Sequence, residues 1–236
     1  MNARNFKRVL GMMAAVILLG MGGGAWAQKL PAGMSIPEDT LSPNHHYGIL
    51  VPQMAEEDHI KDPHNKLVEA KTGKVIAVIN AEPGFDHMNH GGALPPVWAK
   101  DNSAVLWQVD GKWSPRALVL LTLEKGASKV QVDLLKTGQQ EILARVRKAE
   151  PKKYTTIKTA HAKGYGSAYP DGFTVNVGAV GGGDDLTFPV KLQVDLTSDP
   201  KGAEPELPHL NAFLNAEVDA AGNFKVTKFS MGNRPE

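Results

Sequence analysis

The sequence predicts an α+β, β-rich protein of antiparallel sheets with one helical insert, and three observations carry that prediction. Leu186, Phe188, Val190, Leu192, Val194 and Leu196 alternate without a break with Thr187, Pro189, Lys191, Gln193, Asp195 and Thr197. That is the period of a strand with one face in a core and one in water. Short apolar runs bounded by Gly, Pro, Asn and Asp recur from Leu41 onward, the pattern of successive hairpins. Between these two regions, residues 135–164 change to a helical period. The totals agree: 236 residues, 42% of them hydrophobic, suffice for a buried core and exceed the apolar content of a disordered chain.

The first 27 residues read as an export signal outside the fold. Arg4, Lys7 and Arg8 form a basic start, Val9 to Gly24 is uncharged, and Ala25-Trp26-Ala27 offers the small-x-small pattern of a cleavage site. An uncleaved anchor is the competing reading, because Val9 to Ala27 is uncharged throughout; Gly20 and Gly22 to Gly24 weaken it. With no Cys in the chain, an exported product takes its stability from an apolar core and not from disulfides. The expected location is the bacterial periplasm or the medium, without stable membrane insertion after cleavage. A near balance of 26 Lys+Arg against 25 Asp+Glu argues against nucleic acid as a partner.

Residues 28–40 contain Pro and little pattern, and read as an extended lead-in. Tyr47 to Val51 reads as a strand after the turn Leu41-Ser42-Pro43-Asn44. Asn65 to Ala70 and Lys74 to Ile79 read as a hairpin about Lys71-Thr72-Gly73. A second turn at Ala99-Lys100-Asp101-Asn102 leads into Ala104 to Val109. Arg116 to Leu123 is a nearly continuous apolar run, and Lys129 to Leu134 alternates again.

Ser42-Pro43-Asn44-His45-His46-Tyr47 before an apolar strand, then Leu67-Val68-Glu69-Ala70-Lys71-Thr72-Gly73-Lys74, resemble the opening and hairpin of a β-propeller blade of the WD-repeat-like and periplasmic Tol type. Trp98-Ala99-Lys100-Asp101-Asn102-Ser103 repeats the first turn 57 residues on, and Leu118 to Lys125 repeats the hairpin. The resemblance spans residues 41–134 and implies propeller-blade-like antiparallel hairpins. Two such units do not close a ring of about four to eight blades, so the expectation is not a closed propeller. As a whole the chain resembles exported bacterial proteins of unassigned function, which implies no activity.

In residues 135–164, Leu135, Ile142, Leu143, Val146 and Ala149 form an apolar stripe, and Glu141 stands four residues before Arg145. Pro151 either stops this helix or opens a second one. Tyr154, Ile157 and His161 continue one face toward Gly164, a candidate C-terminal cap. Residues 165–236 are expected to form an antiparallel β unit. It begins at the turn Tyr169-Pro170-Asp171-Gly172, includes a loop at Gly181 to Asp185, and ends in a hairpin about Ala220-Ala221-Gly222. Pro189 cannot donate to a ladder, so the long alternating strand is expected at an edge or bulged there. Residues 28–236 are expected to form one compact domain.

Six of the eight histidines lie between His45 and His90. The densest stretch, Gly84-Phe85-Asp86-His87-Met88-Asn89-His90-Gly91-Gly92, is bracketed by glycines. Asp86, His87, Met88 and His90 offer imidazole, carboxylate and thioether donors of the kind that suit Cu or Zn, and the segment resembles parts of periplasmic copper-handling proteins. The other reading is a partner-binding corner in which His87, Asn89 and His90 act together with Trp113, a Trp placed in the turn Gly111 to Pro115. Trp107 alternates with Val105 and Val109 and is assigned to a core. Tyr165 and Tyr169 flank a Gly-containing turn and are assigned to loop packing or a recognition surface.

The Gly-x-Ser-x-Gly elbow, the paired histidines of zinc proteases, the P-loop and a Cys nucleophile are all missing from the sequence. No catalytic set is therefore assigned. The expectation is an exported, soluble, non-catalytic binding or structural protein. It needs no cofactor and recognises a protein or small ligand of the cell envelope through the Phe85 to Pro96 loop. The alternative is a periplasmic metal-binding protein.

Overall fold

A computed structural model describes residues 30–112, 114–161, 169–180, 185–198 and 207–235. The expected leader, Trp113, Gly164, Tyr165 and the Gly181 to Asp184 tract lie outside the described residues, as does the side chain of His161. Among the described residues the chain forms three antiparallel sheets in chain order, with two helices between the second and third.

The first sheet joins β1 (Met34–Ser35), β2 (Tyr47–Pro52), β3 (Lys66–Glu69) and β4 (Val75–Val78) in that order. The second joins β5 (Gly92–Ala93), β7 (Ala104–Asp110), β8 (Pro115–Glu124) and β9 (Ala127–Asp133), and β6 (Val97–Trp98) also pairs with β7. Helices α1 (Leu134–Ala149) and α2 (Pro151–His161) follow. The third sheet joins β10 (Thr174–Val180), β11 (Val190–Thr197), β12 (Asn211–Val218) and β13 (Phe224–Met231).

The second sheet is central, and this explains its sequence. Val105, Trp107, Val109, Val119 and Leu121 face the first sheet, where they meet Ile49, Val51, Leu67 and Ile79. Ala104, Leu106, Leu118 and Leu120 face the other way, onto α1 and the third sheet. A strand covered on both sides loses the polar half of its alternation, and that is why β8 reads as an unbroken apolar run.

Asp133 caps α1 by accepting the Lys136 N–H at 2.9 Å, and the Glu141–Arg145 pair forms at 2.7 Å. Leu135, Ile142 and Val146 are buried as their spacing predicts. Ala149 is exposed, because the helix ends there and Pro151 opens α2 in its first position. Gly138 lets α1 lie close on the third sheet: a β-carbon there would stand 3.1 Å from Val177 and 3.2 Å from Val194.

Two expectations need correction. The long alternating stretch is not one strand: β11 starts at Val190 and is interior, paired with β10 on one side and β12 on the other. Pro189, which has no N–H to give a ladder, lies just outside it after a cis Phe188–Pro189 bond. Leu186 points its apolar side chain into the same core from outside the strand, and its N–H bonds the Trp98 carbonyl at 2.9 Å. The lead-in is also not extended throughout: it supplies β1, whose Met34 pairs with Pro52, but then closes into a 3-10 turn at Glu38–Thr40.

The two turns 57 residues apart share their hydrogen bonds. Ser42 N–H bonds Tyr47 C=O and Ala99 N–H bonds Ala104 C=O, both at 2.9 Å. His45 N–H bonds Ser42 C=O and Asn102 N–H bonds Ala99 C=O, both at 2.8 Å. The Asn44 and Asp101 side chains each accept the N–H two residues on, at 3.0 Å, and His45 and Asn102 are both left-handed, with φ of 56° and 62°. The turns also touch, the Asn44 N–H donating to Asn102 Oδ1 at 3.2 Å. Faces correspond as well: Ile49 looks toward the second sheet while its equivalent Leu106 looks toward the third. Leu50 looks away from the second sheet, and its equivalent Trp107 looks back at the first. The sheets stack front to back.

Candidate functional site

The glycine-bracketed histidine segment links β4 of the first sheet to β5 of the second, and it is held at both ends. At its start, Asn65 clamps the backbone of Gly84 in both directions. Gly84 N–H donates to Asn65 Oδ1 at 2.7 Å, and Asn65 Nδ2 donates to Gly84 C=O at 2.8 Å. Asn65 is 2% exposed, so these bonds form away from competing water. The chain comes so close to β7 here that a β-carbon on Gly84 would stand 2.5 Å from Val109.

Past the clamp, Phe85 turns inward and is buried. Asp86 ties the loop to the end of β2 and the turn after it: its N–H bonds Pro52 C=O at 3.0 Å, and its Oδ1 accepts the Met54 N–H at 2.8 Å. Met54 opens a 3-10 turn, Met54–His59, so the carboxylate satisfies one of that turn's free donors. Met88 packs onto the core between the first two sheets. At the far end, Ala93 N–H bonds Phe85 C=O at 3.1 Å and Leu94 N–H bonds Gln108 C=O at 3.0 Å. Gly91 has φ of 104°, and a β-carbon there would lie 2.2 Å from the Asp110 carbonyl oxygen; only glycine fits.

Asp86, His87, Asn89 and His90 are exposed on this fixed backbone. Of the residues named for partner binding, His87, Asn89 and His90 therefore share one loop surface. Of those named for metal binding, Met88 turns to the core while Asp86, His87 and His90 face outward. Among the described residues no three His, Asp or Glu side chains are grouped to hold an ion. Two of the other clustered imidazoles are engaged elsewhere: His46 stands edge-on to Tyr47 at 4.7 Å, and His64 Nδ1 lies 2.6 Å from Asp62 Oδ1.

Sequence reasoning missed Asn65, although a lone amide at the head of an apolar strand was a visible signal. It also missed a second cluster, where one face of α2 meets the turn Pro170–Gly172. Tyr154 is buried, stacks on Phe173 at 5.1 Å, and donates its hydroxyl to Asp171, which also takes Lys158 Nζ at 2.8 Å. Burial raises the Tyr154 hydroxyl well above the tyrosine range, reinforced by the hydrogen bond to Asp171, so it stays neutral. Burial also pushes the Asp171 carboxyl up, but hydrogen bonds from Lys158 and Tyr154 outweigh it and leave the carboxyl below its ordinary value.

The Asp171 cluster works as a tie between α2 and the turn Pro170–Gly172, and its contribution depends on pH. A carboxyl lowered in the folded state stabilises fully above its unfolded pKa, and that stability is lost as pH falls through the folded one. Asp171→Asn tolerates the same left-handed backbone and removes the charge. Thermal unfolding is expected to show a lower Tm for D171N at neutral pH, with the gap to wild type closing in acid. A gap constant from neutral to strongly acidic pH would refute the ionic tie.

A wide groove beside α2, lined by Pro151, Thr155, Thr159, Ala160 and Leu207, includes one charged group, Lys152. Among the described residues no helix is long and apolar enough to cross a membrane. Comparison with protein-family models, with curated proteins and with solved structures returns no match at significance.

Proposed function

We propose that this is an exported, non-catalytic binding protein of the bacterial cell envelope, and that the Phe85 to Pro96 loop bears its recognition surface. The observation that carries this reading is the two-way clamp of Asn65 on Gly84. A loop whose backbone is already fixed loses little entropy when it binds, so His87, Asn89 and His90 are presented ready for a partner. The ligand class that suits them is a protein or small molecule with hydrogen-bonding groups, met by two imidazoles and an amide within four residues. In the same proposal the first two sheets are propeller-blade-like repeats. Their shared turn bonds and front-to-back packing support this.

The test compares wild type with a His87→Ala/Asn89→Ala/His90→Ala variant in capture from native envelope extract. The expected result is a component retained by wild type and lost by the variant, with Tm unchanged because the three side chains are exposed. Retention of nothing, or equal retention by both proteins, overturns the proposal. Metal analysis of untagged protein is the companion measurement. Stoichiometric Cu or Zn that disappears in the variant would reassign the loop to metal binding through the outward-facing Asp86, His87 and His90.

A further inference from the structure

The outer face of the third sheet, turned away from the core, is polar apart from the Phe213 ring and the exposed Val180 at the end of β10. Along β12, Ala212, Leu214, Ala216 and Val218 enter the core, while Asn211, Phe213, Asn215 and Glu217 lie on the opposite face. Phe213 is nevertheless only 4% exposed. Its cover is Arg234, whose guanidinium carbon stands 4.8 Å from the ring centroid, together with Lys228 Nζ at 5.2 Å.

Arg234 is matched by acceptors on every side of its fork. Nε donates to Asp195 Oδ1 at 3.0 Å and Nη2 to Asp195 Oδ2 at 3.3 Å, a two-point pair. Nη1 donates to Asn215 Oδ1 at 2.6 Å. Nη2 also reaches the carbonyls of Val194 at 3.4 Å and Leu214 at 3.3 Å. Asp195 and Phe213 sit directly opposite each other across β11 and β12, and the β12–β13 register shifts at Asn215/Ala216, a bulge of the kind that re-aims side chains. A planar fork over an aromatic ring with a two-point carboxylate is guanidinium recognition; a lysine ammonium cannot span the same acceptors.

We propose that Asp195, Phe213 and Asn215 form an arginine-recognition site on this face, filled in cis by Arg234. Vacated, the site takes an arginine side chain presented by another polypeptide. The occupying segment follows β13 through Gly232, whose N–H bonds Asn211 C=O at 2.7 Å and whose φ is 96°. A β-carbon on Gly232 would meet nothing within 4 Å, so the turn from β13 into the segment is not crowded. As long as it is attached, its high effective concentration keeps free arginine out.

The experiment uses the full chain carrying Arg234→Ala and two capped peptides, acetyl-Gly-Asn-Arg-Pro-amide and its lysine counterpart, titrated by NMR with the Asn215 side-chain amide as reporter. The arginine peptide is expected to bind R234A saturably, the lysine peptide about tenfold more weakly, and neither to bind wild type. Adding Asp195→Asn is expected to abolish the preference for arginine. Should R234A fail to fold, Arg234→Gln, which keeps part of the stem over Phe213 but carries no charge and cannot form the two-point pair with Asp195, takes its place in the same titration. Absence of saturable binding, equal affinity for the two peptides, or equal binding by wild type overturns the proposal.

Discussion

Trp107→Ala is expected to cost about 3–5 kcal/mol in unfolding free energy, read from urea denaturation. The side chain is fully buried between the first and second sheets, among Ile49, Leu67, Val105 and Val119. Its removal opens a cavity that neither sheet can close without breaking the pairing on its other side. Because a domain of this kind is stable by only about 5–15 kcal/mol, the variant should stand near the edge of unfolding at 37 °C. Trp107→Phe is the informative companion. Among the described residues the Trp107 Nε1 has no hydrogen-bond partner, so phenylalanine forfeits volume alone and should cost much less than alanine. An alanine variant within about 1 kcal/mol of wild type would mean that the two sheets do not pack through this ring.

Asn65→Leu should be nearly as damaging, by a different route. Leucine keeps the bulk but leaves the Gly84 N–H and C=O buried without partners, at roughly 1–3 kcal/mol for each group. The loss should be local as well as global. Limited proteolysis is expected to open the chain between Gly84 and Gly92 in N65L at temperatures where wild type resists. Under the proposed function, any retention seen in the capture experiment should weaken although His87, Asn89 and His90 are untouched. A variant of wild-type stability with a protease-resistant loop would show that the clamp does not hold the loop.

What was legible in the sequence was what repeats locally. Alternation in β10 to β13 and the buried stripe of α1 need only neighbours in the chain, and the apolar run of β8 announced a strand without saying that it lay between two layers. The turns at Ser42 and Ala99 could be aligned by eye because each is closed by its own short-range bonds. Two-residue strands such as β1, β5 and β6 escaped because two residues make a single strand period, with no repeat to recognise. The start of β11 was misplaced because the side chains of Leu186 and Phe188 serve the same core without joining the ladder. The histidine loop was visible as composition, but not its rigidity. Asn65 and Gly84 are 19 residues apart, and nothing in either neighbourhood says that they meet. Arg234 and Asp195, 39 residues apart, were invisible for the same reason.

The way Ile49 and Leu106 look in one direction while Leu50 and Trp107 look in the other gives the body a polarity. A contact between unlike surfaces is heterologous: it has no two-fold axis, and each added unit offers the next a fresh surface to grow on. Such an array must be terminated differently at its two ends. Here Leu30, Met34 and Ile36 lie over Leu50 and Val68 at one end, and charged and amide side chains face solvent at the other. Stripping either terminus of its finish would recreate a sticky surface, and uncontrolled end-to-end association is the failure this architecture has to prevent.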